Sequence, residues 1–332
     1  MRAEMIPVLL LSAACFAPAA RAGAAGGGPA STGLKWVSVS EQAVPVEFRR
    51  WKASDGREVA AAVRRPPGKG PFPALIYLHG GLGAWTEETL RFELLKGPTM
   101  NRFLADGWMT LAADFRGRAN DPLTTDCQRD VIDVVEQVRK LPEADPASVV
   151  LYGTSGGGSL ALEVAAEIPL AAILVEEPAM VLFTGMSSKE TLLKLGVQPP
   201  YHPAKVMPII EDPQRFYTPE LQAQTLERML RISCPIFVGH GDRHPLNKLN
   251  EAVFSADVRA KLKQPFEDVL YARESHGFSR GMSRSPGAQK FYADASAFAL
   301  RYLKTRPVAV DSGLLGELPE PSKEDRRAGV DR

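Results

Sequence analysis

The chain has 332 residues, 45% of them hydrophobic and 24% charged, with 40 lysines and arginines set against 39 aspartates and glutamates. A formal net charge of +1 gives no electrostatic hold on nucleic acid or an anionic membrane surface, and the length suits one large domain or two modest ones. The cysteines at 15, 127 and 234 lack the spacing of a metal site.

Residues 1–22 read as a signal peptide. Arg2 supplies positive charge, Met5 to Ala20 is mostly apolar, and Ala20-Arg21-Ala22 fits a small-x-small cleavage site. The apolar run is short for a membrane span, and its removal takes away Arg2, Glu4 and Arg21, which leaves the charge balanced. The expectation is an exported protein, periplasmic or secreted. Ser12-Ala13-Ala14-Cys15 faintly resembles a lipoprotein processing site, but with the expected leucine displaced to Leu11. In an oxidising compartment Cys127 and Cys234 could form one disulfide; two buried thiols is the other reading.

Residues 23–34 form an Ala/Gly/Pro/Ser-rich leader. Lys35 to Val63 carries two strand-like stretches around Ser54-Asp55-Gly56, and Pro66 to Pro71 is a loop. From there apolar strands and helices alternate. Strands are expected at 73–78, 109–113, 148–155, 170–175, 234–238 and 266–272. Helical material is expected at 88–106, 126–141, 158–167 and 291–303, and Thr218-Pro219-Glu220 opens a further helix to about Leu230. Fully apolar strands separated by helices predict an α/β domain over 35–305, its mostly parallel sheet covered on both faces. Segment 178–231 is long for a crossover and reads as a partial cap insertion. The tail at 306–332, rich in Pro, Gly and charge, is expected to be disordered.

The chemistry centres on Gly153-Thr154-Ser155-Gly156-Gly157, a Gly-x-Ser-x-Gly between a strand and a helix. A sharp strand-to-helix turn tolerates only small neighbours and lifts the hydroxyl clear of the sheet. A serine needs a base to take its proton as it attacks. Five histidines are available, at 79, 202, 240, 244 and 276. With the order Ser, acid, His, the best acid is Asp242, at the end of the strand before Arg243-His244-Pro245, and the best base is His276 in Ser275-His276-Gly277-Phe278. Glu176 and Glu177, ending the preceding strand, are the runner-up acids. The oxyanion formed on attack needs backbone N–H donors, each worth roughly 3–4 kcal/mol of barrier. Gly156 supplies one; the loop His79-Gly80-Gly81-Leu82-Gly83 supplies the other, through Gly81 or Gly80, with His79 structural.

The set His79-Gly80-Gly81, Asp114-Phe115-Arg116-Gly117, Gly153 to Gly157, Gly239-x-x-Asp242-Arg243 and Ser275-His276-Gly277-Phe278 resembles the catalytic domain of the prolyl oligopeptidase family, over about 45–305. It is also similar to dienelactone-hydrolase-like and acetyl-esterase-like enzymes. The resemblance implies an α/β-hydrolase fold with Ser155 as nucleophile, Asp242 as acid and His276 as base. Prolyl oligopeptidases carry a large screening β-propeller, where fewer than 50 residues precede the core here, and dienelactone hydrolases carry cysteine where this chain has Ser155. The expected function is an exported, cofactor-free and metal-free serine hydrolase cleaving small esters or short peptides and amides through an acyl-enzyme. The alternatives are a carboxylesterase or acetyl esterase without peptidase activity, and a non-catalytic binding protein on a hydrolase scaffold.

Overall fold

A computed structural model describes residues 34–279 and 283–318. The expected signal peptide, Cys15, all of the leader but its last residue, and positions 319–332 of the tail lie outside the described residues.

Strands β1 (Val37–Val39), β2 (Glu47–Lys52), β3 (Glu58–Arg64) and β4 (Phe72–Leu78) come first. Helices α1 (Glu87–Lys96) and α2 (Pro98–Ala105) lead to β5 (Met109–Ala113). Next come α3 (Asp126–Val138), β6 (Ala144–Thr154), α4 (Gly156–Ala165) and β7 (Ala172–Glu176). A run of short helices follows, α5 (Met180–Phe183), α6 (Lys189–Lys194), α7 (Met207–Glu211) and α8 (Pro213–Phe216), then the longer α9 (Pro219–Arg231). The chain continues with β8 (Ile236–Gly241), α10 (Leu246–Val253), α11 (Ala256–Arg259), β9 (Phe266–Tyr271), α12 (Pro286–Leu300) and β10 (Leu315–Glu317).

The central sheet has the order β2-β3-β5-β4-β6-β7-β8-β9. It is antiparallel from β2 to β5 and parallel from β5 to β9. Successive side chains of a strand point to opposite faces, and the two hydrophobic cores divide accordingly. Ala74, Ile76 and Leu78 of β4 face the core that holds Val131, Val134 and Val138 of α3. Leu75 and Tyr77 face the other, with Phe291 and Phe298 of α12. Both faces are therefore closed, which is why the central strands read as unbroken apolar runs.

Local chemistry sets the element ends. Thr218 Oγ1 accepts the Leu221 N–H with Pro219 at the first helical position, as its sequence predicts. Strand β8 starts at Ile236, two residues later than expected, because Pro235 has no N–H to give a ladder. Helix α12 starts five residues earlier than expected, at Pro286, capped by Ser285 Oγ.

Within segment 178–231, Met180, Phe183, Leu192, Ile209, Tyr217 and Met229 pack into the same core as α3 and the sheet. One region differs from its sequence reading. The start of the expected disordered tail is structured. Strand β10 pairs antiparallel with β1, Val37 opposite Glu317, and the Val310 N–H bonds Ala105 C=O at 2.8 Å. Buried Val310 and Leu318, set singly among charged and small residues, supply anchoring that composition conceals.

Candidate active site

Ser155 follows β6 directly, with φ 52° and ψ −116°. No regular element uses this conformation, and a side chain there is strained. The turn is possible only because its neighbours are glycines. A Cβ on Gly157 would lie 2.1 Å from Leu78 O, and one on Gly153 would lie 2.3 Å from Gly157 O. Glycines open α4 for close approach, against their poor helix propensity. The result is a partly exposed hydroxyl held at the carboxyl end of a central parallel strand.

His276 lies five residues beyond β9 and reaches back to this hydroxyl. Its Nε2 is 2.9 Å from Ser155 Oγ. Its Nδ1 is 2.6 Å from Oε2 of Glu177, whose side chain is fully buried. The other carboxylate oxygen, Oε1, accepts the Gly241 N–H at 2.8 Å. With Nδ1–H given to the carboxylate, Nε2 is the nitrogen free to accept a proton from serine. Glu177 also holds a positive φ of 41°. Among the described non-glycine residues, positive φ occurs at Ser155, Glu177 and Arg273, following β6, β7 and β9. Backbone strain is thus concentrated at the rim where these groups meet.

Asp242, the acid expected from the sequence, is not the carboxylate on His276. It is exposed, and its Oδ1 accepts the Arg273 N–H at 2.7 Å. Its own N–H continues the β8–β9 pairing by bonding Tyr271 C=O at 3.2 Å. Asp242 therefore ties down the turn that leads to His276, while the runner-up Glu177 takes the place beside the imidazole. The physical reason lies at Gly241. Its N–H serves Glu177, and a Cβ there would stand 2.9 Å from Glu177 Oε1 and 2.6 Å from Glu274 O. Strand β8 supplies room and a donor instead of the acid. The signal in the sequence was the acidic pair closing the apolar run Ala172 to Val175, one strand from the elbow. Glu176 is buried, and its carbonyl accepts the Ser155 N–H at 3.0 Å.

The two glycines expected to serve an oxyanion lie together. A Cβ on Gly156 would be 2.4 Å from Gly81 O, so the two backbones touch across the site. Gly81 has φ +85° and open space where a Cβ would project. Among the described residues, no protein acceptor is bonded to the Gly81 or Gly156 N–H. His79 locks the preceding residue in place. It is sandwiched between Trp85 (centroids 4.3 Å, 4° apart) and Phe115 (4.2 Å, 12°), and its Nδ1 bonds Gly80 C=O at 2.9 Å. Burial pushes its pKa down to about 4, so the ring is neutral. That is the structural role expected of it.

The alpha/beta hydrolase family matches residues 75–260, which span the elbow, the acid and the first glycine loop. The chain belongs to this family. A search of curated proteins gives no match. Among solved structures, this hydrolase is similar in fold to carboxyl esterase 2 of the mycorrhizal fungus Tuber melanosporum, at 14% identity and a TM-score of 0.58, covering 80% of this chain and 90% of that one. It is similar also to Thermogutta terrifontis esterase 2 in its tabun-phosphoramylated form (19%, TM-score 0.55, 78% and 96% covered). A thermostable esterase from Pseudomonas putida gives 17% and a TM-score of 0.54, with 81% and 86% covered.

The remaining polar candidates of the hydrolase sort cleanly. His202 is exposed and caps a 3-10 turn through Nδ1. His240 is buried between Asn250 (3.3 Å) and Asp268 (3.0 Å). Cys127 and Cys234 are both free and buried, the second of the two readings; Cys127 Sγ accepts from Arg118 Nε at 2.8 Å. The ring of His244, which the sequence does not tie to the site, stacks on that of His276, centroids 4.4 Å apart. Cavities of about 230 and 310 Å³ lie elsewhere, one beside Gln128 and Arg228, the other beside Trp108 and Arg306; neither is lined by Ser155, Glu177 or His276. No described helix is long and apolar enough to cross a membrane.

Proposed function

We propose that this hydrolase is a serine carboxylesterase for small esters, working through Ser155, His276 and Glu177. The observation that carries the reading is the unbroken chain of contacts from hydroxyl to imidazole to buried carboxylate, 2.9 Å and then 2.6 Å. Ser155 Oγ attacks the ester carbonyl as His276 Nε2 takes its proton. Glu177 keeps Nδ1 protonated and faces the imidazolium that forms. The N–H groups of Gly156 and Gly81 receive the oxyanion. The imidazolium then protonates the departing alkoxide, and the acyl group stays on Ser155. A water, deprotonated by the same nitrogen, attacks the acyl-enzyme and frees the acid.

Esters are favoured over peptides because three solved structures of the same fold are named as esterases. The charged start, apolar stretch and small-x-small site of residues 1–22 support export as part of this reading. The test compares short-acyl aryl esters with aminoacyl amides on the purified protein, beside fluorophosphonate labelling. Ester turnover and labelling that both vanish in Ser155→Ala are the expected result. Labelling elsewhere, or amide turnover faster than ester turnover, would overturn it.

A further inference from the structure

The relay has a neighbour that ester hydrolysis does not require. Glu177, His244 and His276 each offer a ligating atom, and these atoms lie within 4.8 Å of one another. The two imidazoles are partly exposed, while the carboxylate is buried beneath them, so an ion has a path from solvent to all three. Two imidazoles and a carboxylate are the donor set that zinc takes when its fourth position holds water. With Zn–N and Zn–O of roughly 2.0–2.1 Å, tetrahedral donors stand roughly 3.3 Å apart. The Glu177–His276 contact of 2.6 Å has to open slightly, and the His244 ring, stacked on that of His276 with 28° between planes, has to turn so that the two in-plane lone pairs converge on the ion. Both histidines sit in turns outside helix and strand, where such movement disturbs no ladder. His244 Nδ1 accepts the Leu246 N–H at 3.1 Å, and coordination gives up that one hydrogen bond.

We propose that Glu177, His244 and His276 form an inhibitory site for a divalent cation of the zinc type, which stops turnover by capturing the catalytic base. The chemistry holds for either ring nitrogen of His276. An ion on Nε2 occupies the lone pair that would receive the Ser155 proton. An ion on Nδ1 displaces the proton shared with Glu177; that proton moves to Nε2, which then has no lone pair to offer. No electron is transferred, and removal of the ion restores the original tautomer.

The inhibition arm rests on the esterase reading; a spectroscopic arm does not. In the first, ZnCl2 at micromolar concentration lowers ester turnover at least tenfold, and EDTA restores it. His244→Ala and His244→Gln each raise the half-inhibiting zinc concentration at least tenfold, every variant being compared with its own zinc-free rate. In the second, Co2+ titrated into the Ser155→Ala protein binds with one equivalent and gives the visible absorption of cobalt bound by nitrogen and oxygen at low coordination number. That band is lost when His244→Gln is added. Absence of stoichiometric cobalt binding overturns the proposal whether or not the protein hydrolyses esters. Zinc inhibition unchanged by the loss of His244 overturns it as well.

Discussion

Replacing Glu177 by Gln separates the acid in contact with the base from the acid that the sequence favours. The side chain keeps its size and stays buried, but it loses the charge facing His276 and turns an N–H₂ toward one of two donors, His276 Nδ1–H and Gly241 N–H. A unit charge about 4 Å from the imidazolium is worth about 4 kcal/mol at an effective dielectric near 20. Loss of the tautomer-fixing acid from a serine triad lowers turnover by about 10⁴. Together these give an expected fall in kcat/KM of about 10³–10⁴, or about 4–5.5 kcal/mol of barrier. Asp242→Asn keeps an oxygen for the Arg273 N–H in an exposed turn and should change kcat/KM less than about tenfold. The assay is steady-state hydrolysis of a short-acyl aryl ester, with circular dichroism melts showing that both variants fold. Glu177→Gln within tenfold of wild type, or Asp242→Asn as damaging as Glu177→Gln, would refute the assignment.

Acid should destabilise the fold through His79. Its pKa is depressed to about 4 by burial, so between pH 6.5 and 4 the unfolded chain holds more protons than the folded one. Its contribution is fully present above pH 6.5 and falls by about 3 kcal/mol on the way down to pH 4. Urea unfolding across this window should show a shallower loss in His79→Phe, which keeps a stacked ring but takes up no proton; an equal slope would dismiss the account. Gly157→Ala, with a Cβ 2.1 Å from Leu78 O, should cost more than about 3 kcal/mol or prevent folding. Gly83→Ala, with open space and ordinary φ, should shift Tm by no more than a few degrees in the same melting assay. Gly241→Ala should lower both Tm and kcat, because its methyl would meet Glu274 O at 2.6 Å and Glu177 Oε1 at 2.9 Å; a lowered Tm with kcat unchanged in the folded protein would count against the role of Gly241.

The sheet and the elbow could be read directly from residue order. Apolar strands such as Phe72–Leu78 are buried on both faces, and a glycine-flanked serine after such a strand has few other conformations. His276 could be read because a polar loop after the last parallel strand has only the rim of the sheet to occupy. The acid was less legible, since it depends on which of two adjacent strand ends turns its side chain inward. That choice is made by a positive φ at Glu177 and by the missing Cβ at Gly241, neither of which a one-dimensional pattern displays. His244 was invisible for the same reason: a stack between rings from two turns has no period. The ordered tail depends on Val310 and Leu318 finding partners far away in the chain, which local composition cannot register.

Placing the acid on β7 joins it to the nucleophile by main-chain bonds. Ser155 N–H reaches Glu176 C=O at 3.0 Å, and Ala179 N–H reaches Ser155 C=O at 2.9 Å. Two members of the relay therefore share one rigid frame, and only the imidazole has to be delivered from a distance. Drift in the length or composition of the turn after β8 leaves that frame intact, so this turn can vary without resetting the spacing of hydroxyl and carboxylate.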